Sequence, residues 1–285
     1  MSVLAVYNVE HASSLIYYGL HSMQHRGQEG CGMVSVAEDG HMHRHRGHGL
    51  VQEVFNEAQL QKLEGKMCLG HVLYTTANGR SIDNIEPLSF LHNTGSFAIA
   101  HNGNIVNAKQ VHDYLENRGS LFHSNTNAEL LAHLIKKEAD EPRIFTIMEA
   151  LDMLEGSFAF VIMTQNRLYA CRDKYGIRPL AIGKLGDGYV VSSETCAFDV
   201  MGATFLRDVE PGEIVTIDEK GLRSRKYALK CEHNMCAMEY IYFARPDSDI
   251  DGCNASLPSA RQPGRQASPR EIVTSYSRHM SRISS

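Results

Sequence analysis

Apolar and polar positions along this chain recur with two different periods, and the period changes in a definite order. Residues 3–9, VLAVYNV, form an apolar run of strand length. Ile16, Leu20 and Met23 then recur at helical spacing, with Leu15 and Tyr18 beside them, until three glycines between 25 and 32 end the helix. Strands are predicted at 33–38 and 41–49, followed by a helix over 51–65 closed by Gly65 as a C-cap. Residues 67–76 and 96–105 have the pattern of buried strands running into tight turns, and three amphipathic helices are predicted over 107–119, 127–140 and 145–156. From Ser157 onward hairpins dominate. One turns at Gln165-Asn166 and another at Gly186-Asp187-Gly188. Strands first, helices grouped in the middle and hairpins after predict an α+β fold with two sheets sandwiched by helix layers.

Composition sharpens this picture at the C-terminal end. The 285 residues are 43% hydrophobic and 21% charged, the balance of a soluble globular chain. After about Asn254 the pattern stops. The stretch that follows holds eight Ser, five Arg, three Pro and one Glu, and is expected to be disordered because it has too little apolar surface to offset the chain entropy lost on folding. With five Arg and one Glu the tail carries +4, so residues 1–254 carry −9 of the net −5. An acidic body argues against a nucleic-acid partner. No apolar run reaches the roughly 18 residues of a membrane span, and the N-terminus lacks the basic region of a signal peptide, so a cytoplasmic protein is expected. Seven scattered cysteines without a CxxC pair are expected to be reduced thiols.

Three glycine-containing polar clusters punctuate the apolar segments: QHRGQEG (24–30), HNGN (101–104) and DKYGIRPL (173–180). Asn102-Gly103 is open to two readings. A glycine amide beside an Asn side-chain amide can build an oxyanion hole, whereas Asn-Gly is also the strongest short hairpin signal, and the sequence physics favours the turn. His41, His43 and His45 alternate, so on a strand they would share one face. With no Cys or carboxylate in the run, a water-facing sheet surface is favoured over a metal site. No P-loop, dinucleotide-binding or nucleophile-elbow motif is present.

Taken in order, QHRGQEG, GHVLYTT, SIDNIEP, AHNGN, RDKYGIRPL, SSETCAFD, VEPGE and MEYIYFARPDS resemble the segments of the glutamine phosphoribosylpyrophosphate amidotransferase (amidophosphoribosyltransferase) family, which opens purine biosynthesis. The resemblance covers residues 3 to about 252. It implies an N-terminal nucleophile glutaminase domain at 1–252, a four-layer αββα sandwich, and a Ser/Arg/Pro-rich tail at 253–285 in place of the family's phosphoribosyltransferase domain. That abrupt change points to a truncation or a reading-frame change. In the family, an N-terminal cysteine thiolate attacks the glutamine amide, its own amino group serves as base, and ammonia passes on to phosphoribosyl pyrophosphate.

Carried over by position, the resemblance places Asn102 and Gly103 at the oxyanion hole, Arg26 and Gly27 at a substrate-site turn, and Thr76 at the end of the family's H-V-R-Y-x-T. Three positions depart from the family. The arginine that clamps the glutamine carboxylate is Leu73, which removes a charge-assisted contact worth roughly 1.5–3 kcal/mol. The acidic residue that pairs with the substrate amino group is Asn127. Met1 occupies the nucleophile position, and a thioether has no ionisable proton. Ser2 offers an alternative nucleophile if it becomes N-terminal, but a one-residue slip along a strand turns side chains to the opposite face. The expectation is a catalytically impaired glutaminase half. The alternatives are a regulatory module pairing with a full-length amidotransferase, or an amide hydrolase using Ser2. No cofactor is expected in this chain, although the family uses Mg²⁺ and, in some members, an iron–sulfur cluster, one of whose ligands matches Cys236. The partners implied are glutamine or a related amide, with a second copy or a full-length homologue as protein partner, and neither nucleic acid nor membrane.

Overall fold

The computed structural model describes residues 1–74, 81–91, 95–135 and 143–254. In chain order the elements are β1 (Ser2–Tyr7), α1 (Ala12–Ser22), β2 (Gly30–Val36), β3 (Met42–His48), α2 (Val51–Val54), α3 (Glu57–Lys62), β4 (Met67–Leu73), β5 (Leu88–Phe90), β6 (Phe97–Ile105), α4 (Ala108–Glu116), α5 (Asn127–Ile135) and α6 (Arg143–Asp152). Then follow β7 (Gly156–Thr164), β8 (Leu168–Arg172), β9 (Ala181–Leu185), β10 (Gly188–Ser192), α7 (Cys196–Met201), β11 (Thr204–Asp208), β12 (Glu213–Asp218), β13 (Gly221–Lys226) and a small hairpin of β14 (Asp249–Ile250) and β15 (Cys253–Asn254).

Two antiparallel sheets face each other. One has the order β11-β9-β10-β1-β4-β2-β3, the other β13-β12-β8-β7-β6-β5. Between them Val3, Ala5, Val34, Leu69, Ala98, Ala100, Ala159 and Val161 form one core. Small residues such as the alanines of β6 and β7 let the sheets approach closely. Outside the first sheet, Leu4 and Val6 pack on Ile16 and Leu20 of α1 and on Phe198 of α7. Outside the second, Ile99 and Phe160 pack on Leu131 of α5 and Ile147 of α6. This is a four-layer αββα sandwich. Central strands covered on both faces appear in sequence as continuous apolar runs, which is why β1 and β6 are legible without alternation.

Two local expectations are corrected. The helix over 51–65 is two short helices, because Asn56 starts a new one: its side chain accepts from Gln59 N at 3.1 Å while Gln59 Oε1 accepts from Asn56 N at 3.0 Å. The second ends at Lys62, ahead of Gly65. HNGN is not a hairpin turn. It lies inside β6, with Asn102 opposite Ala159 and Gly103 opposite Phe158 of β7. The hairpins at Gln165-Asn166 and at 186–188 form as expected, joining β7 to β8 and β9 to β10. The tail beyond 254 lies outside the described residues.

Candidate active site

Strand register decides which side chains can meet. In β1 against β4, Ser2 pairs with Val72 and Val3 with His71, so the same register sets Met1 opposite Leu73. Alternation then sorts the faces. Val3 and Ala5 face the second sheet, and positions 1, 71 and 73 follow them, whereas Ser2 shares the α1 side with Leu4 and Val6. On β6, Ala98 and Ala100 face the first sheet, so Asn102 does too, while His101 and Gly103 turn to the α5 side. Met1, Leu73 and Asn102 therefore lie on the facing walls of one inter-sheet space. The Ser2 hydroxyl is buried on the other side of its strand, with no hydrogen-bond partner.

Gly103 has φ +145°, and a Cβ there would stand 2.0 Å from the Ser157 carbonyl oxygen, so only glycine fits this crossing with β7. Asn102, 3% exposed, points its Nδ2 into the interior without a partner. A buried amide donor left unbonded costs about 1–3 kcal/mol, which a hydrogen bond to an acceptor would recover. Its neighbour His101 is fully engaged. Its backbone N–H and its Nδ1 both bond Glu86 at 2.7 Å, its ring stacks on Phe160 at 5.3 Å, and its Nε2 accepts from Asn127 Nδ2 at 3.2 Å. Burial works against the Glu86 charge, yet the contacts from His101 hold its pKa below the usual carboxylate value. His71 donates from Nε2 to the His101 carbonyl at 3.0 Å. Burial lowers its pKa to about 4, and its Nδ1 is unpartnered.

The turn at 24–27 closes the site from the other side. Gly27 sits against the Leu73 backbone, where a Cβ would come within 2.6 Å of the Leu73 carbonyl. The Arg26 carbonyl accepts from the Met1 amino group at 2.7 Å, and Arg26 Nε donates to the Met1 carbonyl at 3.2 Å. Each remaining guanidinium nitrogen has a carboxylate: Nη1 bonds Glu194, and Nη2 bonds Glu239 at 2.8 Å. Arg178 Nη1 also donates to Glu239, at 2.7 Å, and the Phe243 ring lies 5.9 Å from Arg26 and 5.6 Å from Arg178. Glu239 and Phe243 belong to a π-helical turn, Glu239–Phe243, which covers the cluster. Glu194 accepts further bonds from His25 at 3.0 Å, Arg245 N at 3.0 Å and Ser248 Oγ at 2.7 Å. Burial would raise its pKa, but the bond from His25 and the charge of Arg26 outweigh this and hold it at about 2. The Met1 amino group falls to about 4, through burial first and the Arg26 charge second, so it is a neutral amine near pH 7.

Among the residues expected from sequence, Met1, Arg26, Gly27, Leu73, Asn102 and Gly103 gather here, and Asn127 joins them through His101. Ser2 is turned away, and Thr76 lies outside the described residues. Cys236 is a half-buried free thiol in the irregular segment before the π-helical turn. His43 and His45 share the outer face of β3, but His41 precedes the strand. His45 is held by Val54 O at 3.1 Å and by Phe55, and among the described residues the three form no metal-ligand cluster. Sequence reasoning missed Glu86, Arg178, Glu194 and Glu239. Arg178 lies in the polar cluster 173–180 without having been singled out, Glu86 and Glu194 lie in polar segments noted only as markers of resemblance, and Glu239 alone offered a local signal, a lone charge in the apolar run 238–243.

In sequence and fold the chain is similar to known glutamine amidotransferases. Residues 79–200 match the model of a glutamine amidotransferase domain. The amidophosphoribosyltransferase of Bacillus subtilis is 50% identical over 262 residues, covering 91% of this chain and 54% of that protein. A chloroplastic amidophosphoribosyltransferase of Arabidopsis thaliana is 41% identical over 251 residues, covering 88% and 44%. The solved glutamine phosphoribosylpyrophosphate amidotransferase from B. subtilis, complexed with ADP and GMP, superposes with a TM-score of 0.85 at 47% identity, over 90% of this chain and 55% of that one. The chain spans about half the length of the curated relatives it matches.

Proposed function

With its homology to amidophosphoribosyltransferases as premise, we propose that this chain is a glutaminase-type domain of that lineage whose site holds an amide but hydrolyses it poorly or not at all. The observation that carries this reading is the content of the inter-sheet space. The supporting parts are all present: a neutral amine at position 1, a buried Asn102 amide donor and a fixed Arg26 turn. What is lacking among the described residues is a nucleophile at position 1, since Met1 offers a thioether where attack on a carbonyl carbon needs an ionisable thiol or hydroxyl. The Ser2 hydroxyl cannot substitute in this register, because it faces α1. That the ligand is an amide related to glutamine rests on the relatives and forms part of this proposal.

A second reading, a module that docks on a full-length amidotransferase, is favoured by one feature. Met238, just before the turn that covers the Arg26 cluster, and Ile241 and Tyr242 on it are exposed at 46%, 58% and 69%, an apolar patch suited to a protein surface. The test of the main reading is release of glutamate from glutamine by the purified chain, with mass spectrometry of its N-terminus. No release at an enzyme-like rate is expected. Turnover comparable to a working glutaminase overturns it.

A further inference from the structure

We infer that the inter-sheet site takes an uncharged carbonyl ligand, a primary carboxamide without a carboxylate or ammonium group, in preference to free glutamine. This rests on the preceding reading, that the ligand is held and not cleaved, and it specifies the ligand's class from the polar groups the site leaves unused.

Two walls supply hydrogen-bonding capacity without net charge. Asn102 Nδ2 is a buried donor with no partner, and Arg178, within electrostatic reach of position 1, leaves its buried Nε–H unbonded. Both donors require an acceptor, which a carbonyl oxygen is. His71 Nδ1 is unpartnered as well. Because its Nε2 carries the proton given to the His101 carbonyl, Nδ1 of this neutral ring is an acceptor and calls for an N–H. A carboxamide offers both.

Among the described residues, the charges beside this space are already matched to one another. Arg26 and Arg178 are matched by Glu194 and Glu239, two cations against two carboxylates, with Arg26 bonded to both carboxylates and Arg178 to Glu239. Leu73, opposite position 1, presents a hydrocarbon side chain, and Asn127 presents an amide whose Nδ2 is already given to His101. The zwitterion of an amino acid would bury its carboxylate and ammonium beside neutral groups, a desolvation cost that an uncharged amide avoids.

The test is ligand binding to the full chain by saturation-transfer NMR, with butyramide, glutamine and butyrate as probes. Butyramide is expected to bind at least about tenfold tighter than either charged probe. Asn102→Ala is expected to lose that binding. Should this variant not fold, the half-buried pair Leu73→Arg with Asn127→Asp decides, by reversing the preference toward glutamine. Glutamine binding as tightly as butyramide, or butyramide binding unchanged in Asn102→Ala, overturns the inference. Failure of the two readings is distinguishable: glutamate release overturns the proposal that the amide is not cleaved, whereas absence of butyramide binding without any glutamate release overturns only the ligand class.

Discussion

Arg26 and Asn102 stand on two walls of one site and are treated in opposite ways by the structure around them. Every nitrogen of the Arg26 guanidinium is bonded, to Glu194, Glu239 and the Met1 carbonyl, whereas the Asn102 amide donor, equally buried, is bonded to nothing. The first wall is a support, in which charges cancel and fix the turn that receives position 1. The second keeps unused capacity, which is what a wall facing a ligand needs. The difference separates holding from reacting: this chain retains an elaborate support while its side chains at positions 1, 73 and 127 carry no ionisable group.

Perturbing the support should give the largest effects. Glu194→Ala removes one of the two carboxylates that meet the buried Arg26 and leaves Glu239 to serve both Arg26 and Arg178, so it should lower stability by about 3–5 kcal/mol in urea unfolding. The same residue sets an acid limit. Its folded-state pKa of about 2 lies below the unfolded value of 4.5, so its contribution is complete above about pH 4.5 and disappears as pH falls toward 2. Acid titration of Glu194→Gln should show a flatter loss in that window; an unchanged slope would place the acid sensitivity elsewhere.

On the reacting wall, Gly103→Ala should cost roughly 3 kcal/mol, because its Cβ meets the Ser157 oxygen and its φ is strained. A thermal-unfolding midpoint equal to that of the parent would mean that β6 and β7 can part freely. Asp208, at the end of β11, behaves oppositely to Glu194. Burial and the neighbouring Asp251 raise its pKa from 3.8 to about 6, so its ionisation takes stability away as pH rises through that interval. Asp208→Asn should therefore gain on the order of 1 kcal/mol above pH 6 and nothing near pH 3. The smallest effect should come from Ser2→Ala. Removing an unpartnered hydroxyl from the α1 side should change stability by less than about 1 kcal/mol and leave butyramide binding intact. A loss of binding would show that Ser2 reaches the site after all.

Much of the scaffold was legible in the residues. The run of β1, the helical spacing of α1 and the hairpins at 165–166 and 186–188 follow from local rules that the tertiary structure leaves standing. HNGN was misjudged because Asn-Gly is a turn signal only when the chain is free to reverse. Here the pairing of β6 with β7 supplies nine residue pairs, and the left-handed φ of Gly103 is absorbed as a local distortion within the strand. Glu86, Glu194 and Glu239 were not legible as parts of a site, since each partner lies far away in sequence: His101 for Glu86, and Arg26 for the other two.

The sequence by itself determined the identity of the groups: a thioether at position 1, a hydrocarbon at 73, neutral amides at 102 and 127, and the apolar periods that build two covered sheets. Only the tertiary structure decided which of these face each other. Side-chain direction alternates with every residue along a strand, so the register of β1 with β4 puts Met1 and Leu73 on one face and turns Ser2 to the other, and the stacking of the two sheets sets Asn102 opposite them. The unbonded state of the Asn102 donor was likewise decided there, because hydrogen-bond satisfaction depends on distant neighbours that only folding brings within reach.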